Sequence, residues 1–314
     1  MPKPKRSGPS KAGKAGSGTS GGPSANRQRA HATVIGQDKA GVIARICAFL
    51  FERGGNIEEL DQQVTHGLFT MHLEVSWPAS GASAAQMRDG LAAVVGGLGM
   101  DLEFRAVEDG GDGPTRIALM VTKEEHVPRA VLEACRDGRL QGRPVLVAGN
   151  HPDLAPLARE FGVPFHHVPD RDKPAHEAEV MRLLREAQAD LVVLARYMRI
   201  LSPNFVWRFP NRILNIHPSL LPAFPGAVPY RQALQRGVRV AGVTAHLVTV
   251  DLDQGPILAQ ESFPVAADDG LAEVVRRGRE AEARVLVEAI RLWDAGALEV
   301  GWGRTWPKGE ATPP

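Results

Sequence analysis

Two patterns of apolar and polar positions divide the chain. In the first, "HATVIG" has the alternation of a short strand, and from Ala40 to Arg53 the residues Val42, Ile43, Ile46 and Leu50 recur at helical spacing until "GGN" stops the helix. "GLFTMHLEVSW" then alternates strictly, with Phe69, Met71, Leu73 and Val75 on one face and Thr70, His72 and Glu74 on the other, as a half-buried strand requires. A hairpin turning at "THG" precedes it. A helix over about Ala84 to Leu98 and a strand "DLEFRAV" complete the order strand, helix, strand, strand, helix, strand, a ferredoxin-like α+β arrangement. From Arg116 the pattern changes. The runs "RIALMV", "RPVLVAG", "VPFHHV", "DLVVLA" and "RILNI" alternate with amphipathic segments of helix length, which predicts a doubly wound α/β domain with a mostly parallel sheet and helices on both faces. A last long helix is expected over Gly270 to Trp293.

Composition adds the boundaries. Residues 1–27 are rich in Gly, Ser, Pro and Lys and cannot build a core, so they are expected to be a disordered basic tail. The first domain is expected over residues 28–108, a linker over 109–115, the α/β domain over 116–300 and a second tail over 301–314. The chain has 314 residues, 43% of them hydrophobic, without the apolar run of about 18–20 that a bilayer span needs, so no membrane role is expected. A formal net charge of +1 argues against a nucleic-acid binder. Cys47 and Cys135 stand far apart with no Cys or His spacing that suits zinc, so they read as buried thiols in a reducing, cytoplasmic compartment, and no metal site is expected.

The candidate chemistry lies in "RILNIHPSLLPAFPGAVPY". Pro218 biases His217 toward an extended conformation, in which residues two apart face the same way, so Asn215 and His217 should project together. The prolines that follow restrict the loop and lower the cost of ordering a pre-set site. Downstream, "VTAHLVTVDLDQGP" runs from a strand into a turn carrying Asp251 and Asp253. Singly these residues are weak evidence, since a His before Pro is more often a loop hydrogen-bonder and an Asp in such a turn more often an Asx-turn residue. Together an amide, an imidazole and a carboxylate suit acyl transfer, with donors for a developing oxyanion and a base for the nucleophile. His166 and His167 read as strand-end residues.

"ILNIHPSLLPAFPGA", "GVTAHLVTVDLDQGPILAQ" and "DLVVLARYMRILSPNF" resemble the formyl-transferase fold, over Arg116 to about Trp293. "GQDKAGVIARICAFLFERGGNIEELDQ" is similar to an ACT domain, and an ACT domain in front of a formyl-transferase domain is the layout of the formyltetrahydrofolate deformylases. The loop "TKEEHVP" agrees. It has no Gly to cradle a phosphate and carries two adjacent carboxylates, unlike the phosphate-binding loop of the glycinamide ribonucleotide formyltransferases. Two departures stand against this. "NIHPSLLP" replaces the "NIHHSFLP" more usual in deformylases, and "EVGWGRTWPKGEATPP" does not match their usual ending.

The resemblance implies hydrolysis of 10-formyltetrahydrofolate to formate and tetrahydrofolate, supplying formate for purine synthesis, with Asn215, His217 and Asp253 catalytic. Met198, Arg199, Ile200, Leu201, Val248 and Thr249 would contact the pterin and His246 would buttress the turn. The folate is a substrate, and no separate cofactor is implied. An amino-acid effector near Asp38 and Asn56 and a homo-oligomer are the partner expectations. The alternatives are a folate-dependent formyltransferase and a non-catalytic amino-acid or folate sensor; the intact set of Asn215, His217 and Asp253 argues against the sensor.

Overall fold

The computed structural model describes residues 27–65, 67–107, 113–301 and 303–310. The expected basic tail therefore lies outside the described residues except for Arg27, as does the linker over 109–112. Arg27 is not tail. It opens strand β1 (Arg27–Gln37), and its guanidinium donates to the hydroxyl and the carbonyl of Ser76, each at 2.9 Å.

After β1 come α1 (Val42–Glu52), β2 (Asn56–Thr65), β3 (Leu68–Pro78), α2 (Ala84–Gly96) and β4 (Asp101–Val107). The sheet has the order β2-β3-β1-β4 with antiparallel pairing throughout. Phe69, Met71, Leu73 and Val75 enter one core with Ile46 and Leu50 of α1 and Met87 and Leu91 of α2, as the alternation in β3 requires. A capping box between Ser83 and Gln86 starts α2.

The second domain runs β5 (Arg116–Val121), α3 (His126–Arg136), β6 (Arg143–Gly149), α4 (Ala155–Glu160), β7 (Phe165–His167), α5 (Lys173–Glu186), β8 (Leu191–Ala195), α6 (Pro203–Arg208), β9 (Ile213–His217), α7 (Pro229–Gln235), β10 (Val240–Leu247), β11 (Ile257–Pro264) and α8 (Leu271–Asp294). Its seven-stranded sheet has the order β11-β10-β9-β8-β5-β6-β7, with β5 to β9 parallel and β10 antiparallel to both its neighbours, β9 and β11. Alternate residues of β5 serve opposite faces: Ile117, Leu119 and Val121 pack with α3 and α8, while Ala118 and Met120 pack with α5 and α6. The strand order reverses at β5 and β8, so the loops leaving their carboxyl ends diverge and open a crevice there.

The two domains meet through ion pairs. Arg208 of α6, only 10% exposed, reaches Asp101 at 2.7 Å and Glu103 at 3.1 Å on β4, and Arg105 of β4 reaches Asp190 at 2.7 Å. The tail expected over residues 301–314 is corrected at its start. β12 (Leu298–Gly301) and β13 (Arg304–Pro307) form a hairpin, because the Thr305 hydroxyl docks on the carbonyl of Ile257 and the Trp306 indole donates to Glu299 at 2.9 Å. The thiols of Cys47 and Cys135 are half-buried rather than buried. Among the described residues no helix is long and apolar enough to cross a membrane.

Candidate active site

Strand β9 carries Asn215 and His217 on the same face, as an extended segment must, and both line a cavity of about 460 Å³ at the carboxyl end of the sheet. β10 is paired antiparallel to β9 in a register that sets His246 opposite Asn215. The chain then leaves β10 through residues 248–255 and folds back on the strand end. Gly255 permits this close return, since a Cβ there would stand 1.8 Å from the Leu247 carbonyl oxygen. The turn delivers Asp253, in a left-handed conformation at φ 57°, into the same cavity. Thr249 braces it by donating to the Asp251 carbonyl at 3.1 Å.

The three polar side chains converge. Asp253 Oδ2 lies 3.4 Å from His217 Nδ1 and accepts the backbone N–H of Gly226 at 2.9 Å, while Asp253 Oδ1 lies 3.9 Å from His246 Nε2. All three are nearly closed off, with side-chain exposures of 5%, 6% and 2% for Asp253, His217 and His246. The partners determine where the protons sit. His246 Nδ1 faces the Leu247 carbonyl at 2.9 Å and must donate to it. Burial lowers the pKa of His246 and favours the neutral ring, so its Nε2 accepts from the Asn215 amide nitrogen at 3.2 Å. That contact orients the Asn215 amide and leaves its second N–H free to point at a ligand. His217 Nε2 donates to the Phe224 carbonyl at 3.1 Å, so Nδ1, the nitrogen facing Asp253, is the one left to take up or release a proton.

The expected substrate residues all line this cavity: Met198, Arg199, Ile200 and Leu201 after β8, and Val248 and Thr249 after β10. Met198 and Ile200 are 59% and 62% exposed, which excludes a plain core role for them. Val228, Val250 and Leu252 are also exposed at the cavity, so its mouth is an apolar rim suited to a flat ring system.

The opposite wall was not read from the sequence. Glu124, from the loop after β5, accepts from Arg196 at 3.0 Å and Arg279 at 3.2 Å. Burial pushes the Glu124 carboxyl up, but Arg196 above all holds it below its ordinary value. Behind it lies Glu282 of α8, 1% exposed, which accepts from Tyr230 and His126, both at 2.9 Å. One signal was available, because Glu282 falls on the same stripe of α8 as Val275, Val285 and Leu286, where a charge is out of place.

The candidate effector residues are not brought together. The backbone N–H of Asp38 bonds Gly67, whereas Asn56 pairs with Ser76, so the two sit at opposite ends of β3, roughly 30 Å apart by strand rise. Both are exposed. Among the described residues no cluster of His, Cys, Asp or Glu is placed to hold a metal ion.

Comparison with known proteins gives a consistent picture. The formyl transferase family matches residues 115–290 and the ACT domain family residues 30–105. A formyltetrahydrofolate deformylase of Synechocystis is 39% identical over 81% of this chain and 89% of its own length; one of Mycobacterium tuberculosis is 41% identical over 82% and 83%. Among solved structures, a formyltetrahydrofolate deformylase from Pseudomonas syringae superposes with a TM-score of 0.61 at 32% identity, covering 90% of this chain and 95% of that one. A glycinamide ribonucleotide transformylase from Symbiobacterium toebii reaches 0.60 at 39% identity but covers only 62% of this chain, with 94% of its own.

Proposed function

Since this chain belongs to the formyltetrahydrofolate deformylases, a family of hydrolases joining an ACT domain to a formyl transferase domain, we propose that Asn215, His217 and Asp253 carry its hydrolysis of 10-formyltetrahydrofolate to formate and tetrahydrofolate. The observation that supports this reading is the convergence of Asp253 and His217 on one enclosed point beside the free N–H of Asn215.

The reaction breaks the bond between the formyl carbon and the folate nitrogen. A water held by Asp253 gives up a proton to the Asp253 and His217 pair as its oxygen attacks the formyl carbon. The carbonyl oxygen becomes an oxyanion and takes the free N–H of Asn215. Both ring nitrogens of His217 have partners, so this geometry favours Asn215 as the oxyanion donor and His217 as a proton carrier. The intermediate collapses when that proton passes to the leaving nitrogen, giving tetrahydrofolate and formate. The pterin lies against Met198, Ile200 and Leu201 and the turn at Val248 and Thr249, and Arg199 stands at the rim, held by Asp170. Water, a base and an amide donor complete the chemistry, so the folate is the substrate and no cofactor is assigned.

The ACT domain binds a small amino acid, with glycine and methionine the first effectors to try. Asp38 and Asn56 could share one ligand only if each came from a different copy, so the effector site and a homo-oligomer go together, and a strict monomer in light scattering refutes both. A cytoplasmic place of action, supplying formate for purine synthesis, belongs to the same reading. The deciding assay is incubation with 10-formyltetrahydrofolate and no amine. Formate should appear. Formyl transfer to glycinamide ribonucleotide or another amine, with no formate released in its absence, would make the chain a transferase.

A further inference from the structure

We propose that Tyr230, anchored by Glu282, is a positioning residue that holds His217 and Asp253 in working geometry through the loop between them. The inference rests on the catalytic roles given above to those two residues. The loop from Pro218 to Val228 makes one bond to each. The Phe224 carbonyl accepts His217 Nε2 at 3.1 Å, and the Gly226 N–H donates to Asp253 Oδ2 at 2.9 Å. Its backbone is costly there, because Phe224 and Val228, both with side chains, adopt left-handed conformations at φ 52° and 51°. Such conformations persist only where the surroundings over-determine them.

At the β9 end the restraint is local: Ser219 donates to the Ala223 carbonyl at 2.5 Å, and the Thr244 hydroxyl bridges the Ser219 carbonyl and the Leu221 N–H. At the other end it is Tyr230, two residues past Val228. The ring is 8% exposed and its hydroxyl donates to Glu282 Oε1 at 2.9 Å. Helix α8 is shaped to receive it, since a Cβ on Gly278 would stand 2.1 Å from the phenol oxygen. Burial first, and then Glu282, raise the Tyr230 pKa far above its ordinary value, so the phenol stays a donor at any working pH. Glu282 is itself fixed. His126 donates to its other oxygen at 2.9 Å and Arg196 stands 3.6 Å away. The carboxylate thus ties α8, α3 and the loop after β8 to one point, and the phenol extends that tie to the catalytic loop.

Tyr230→Phe keeps the ring and removes only the tie. With 10-formyltetrahydrofolate, kcat should fall about tenfold, the weight of one lost hydrogen bond to a charged group, while KM changes less than about threefold. The loss should vanish when Asp253 is already Asn, because a positioning residue acts through the groups it positions. A folded Tyr230→Phe enzyme with a lowered Tm and unchanged kcat refutes the proposal. So does a tenfold loss that multiplies undiminished onto Asp253→Asn. If Asp253→Asn alone turns over like the wild type, the catalytic assignment falls and this inference falls with it, an outcome distinct from the other two.

Discussion

Replacing Asp253 by Asn separates the charge of this residue from its shape. Asn tolerates the left-handed backbone at φ 57°, and its amide oxygen can still accept the Gly226 N–H, so the turn should survive. What disappears is the negative charge 3.4 Å from His217 Nδ1. The uncharged amide oxygen that keeps the Gly226 bond would face that nitrogen instead, and it can neither take a proton from water nor stabilise a protonated His217. General-base catalysis contributes roughly 10²–10⁴ in rate, or about 2.7–5.4 kcal/mol at 1.36 kcal/mol per decade. Stability should change far less, because one charge-assisted bond becomes an ordinary one, a loss of about 1 kcal/mol. Formate release followed by a coupled formate dehydrogenase gives kcat, and calorimetric titration with 10-formyltetrahydrofolate gives binding. Turnover down a hundredfold or more with binding within threefold is the expected result. A variant that loses binding and turnover together would make Asp253 a structural turn residue, and one that keeps its turnover would refute the mechanism.

Asn215→Ala removes the donor proposed for the oxyanion and should lower kcat about 10²–10³-fold without unfolding the chain, as thermal melting would verify; combined with Asp253→Asn, its loss should be less than multiplicative. Burial lowers the pKa of His31, His72 and His246 in the folded chain, so below the unfolded value of about 6.5 the unfolded chain binds protons first, and stability is lost as pH falls through that value. Tm should therefore decline from pH 7 to pH 5, and a flat or rising Tm would contradict the neutral assignment of His246. Deleting residues 1–26, whose composition offers nothing to bury, should leave Tm and kcat unchanged, whereas extending the deletion through Arg27 removes its two bonds to Ser76 and should lower Tm slightly.

Most of the fold was legible because its determinants are local. The alternation in β3 and the apolar stripe of α8 are one-dimensional signals, and the strands of the second domain were marked by continuous apolar runs. Asn215 and His217 were legible for the same reason, since a period of two in an extended strand places them side by side. Tyr230 and Glu282 were not legible as a pair, because they stand 52 residues apart and meet only when α7 packs on α8. The separation of Asp38 and Asn56 was hidden for the opposite reason. Each looked suitable beside its own turn, but strand pairing carries those turns to opposite ends of the sheet. The C-terminal hairpin was missed because a stretch dense in Gly, Pro and charge reads as tail until the Thr305 contact with Ile257 is seen.

The left-handed backbone at Asp253 limits which residues mutation can put there without loss. Glu would preserve the charge but pay about 1–2 kcal/mol in backbone strain and overreach the Gly226 N–H. Asn and Gly would satisfy the backbone and abolish the charge. Aspartate alone meets both demands, so on the mechanism proposed above Asn or Gly at this turn should give a chain that folds and holds folate without hydrolysing it. The expected line between an enzyme and a binding protein on this scaffold thus runs through one side chain at one turn.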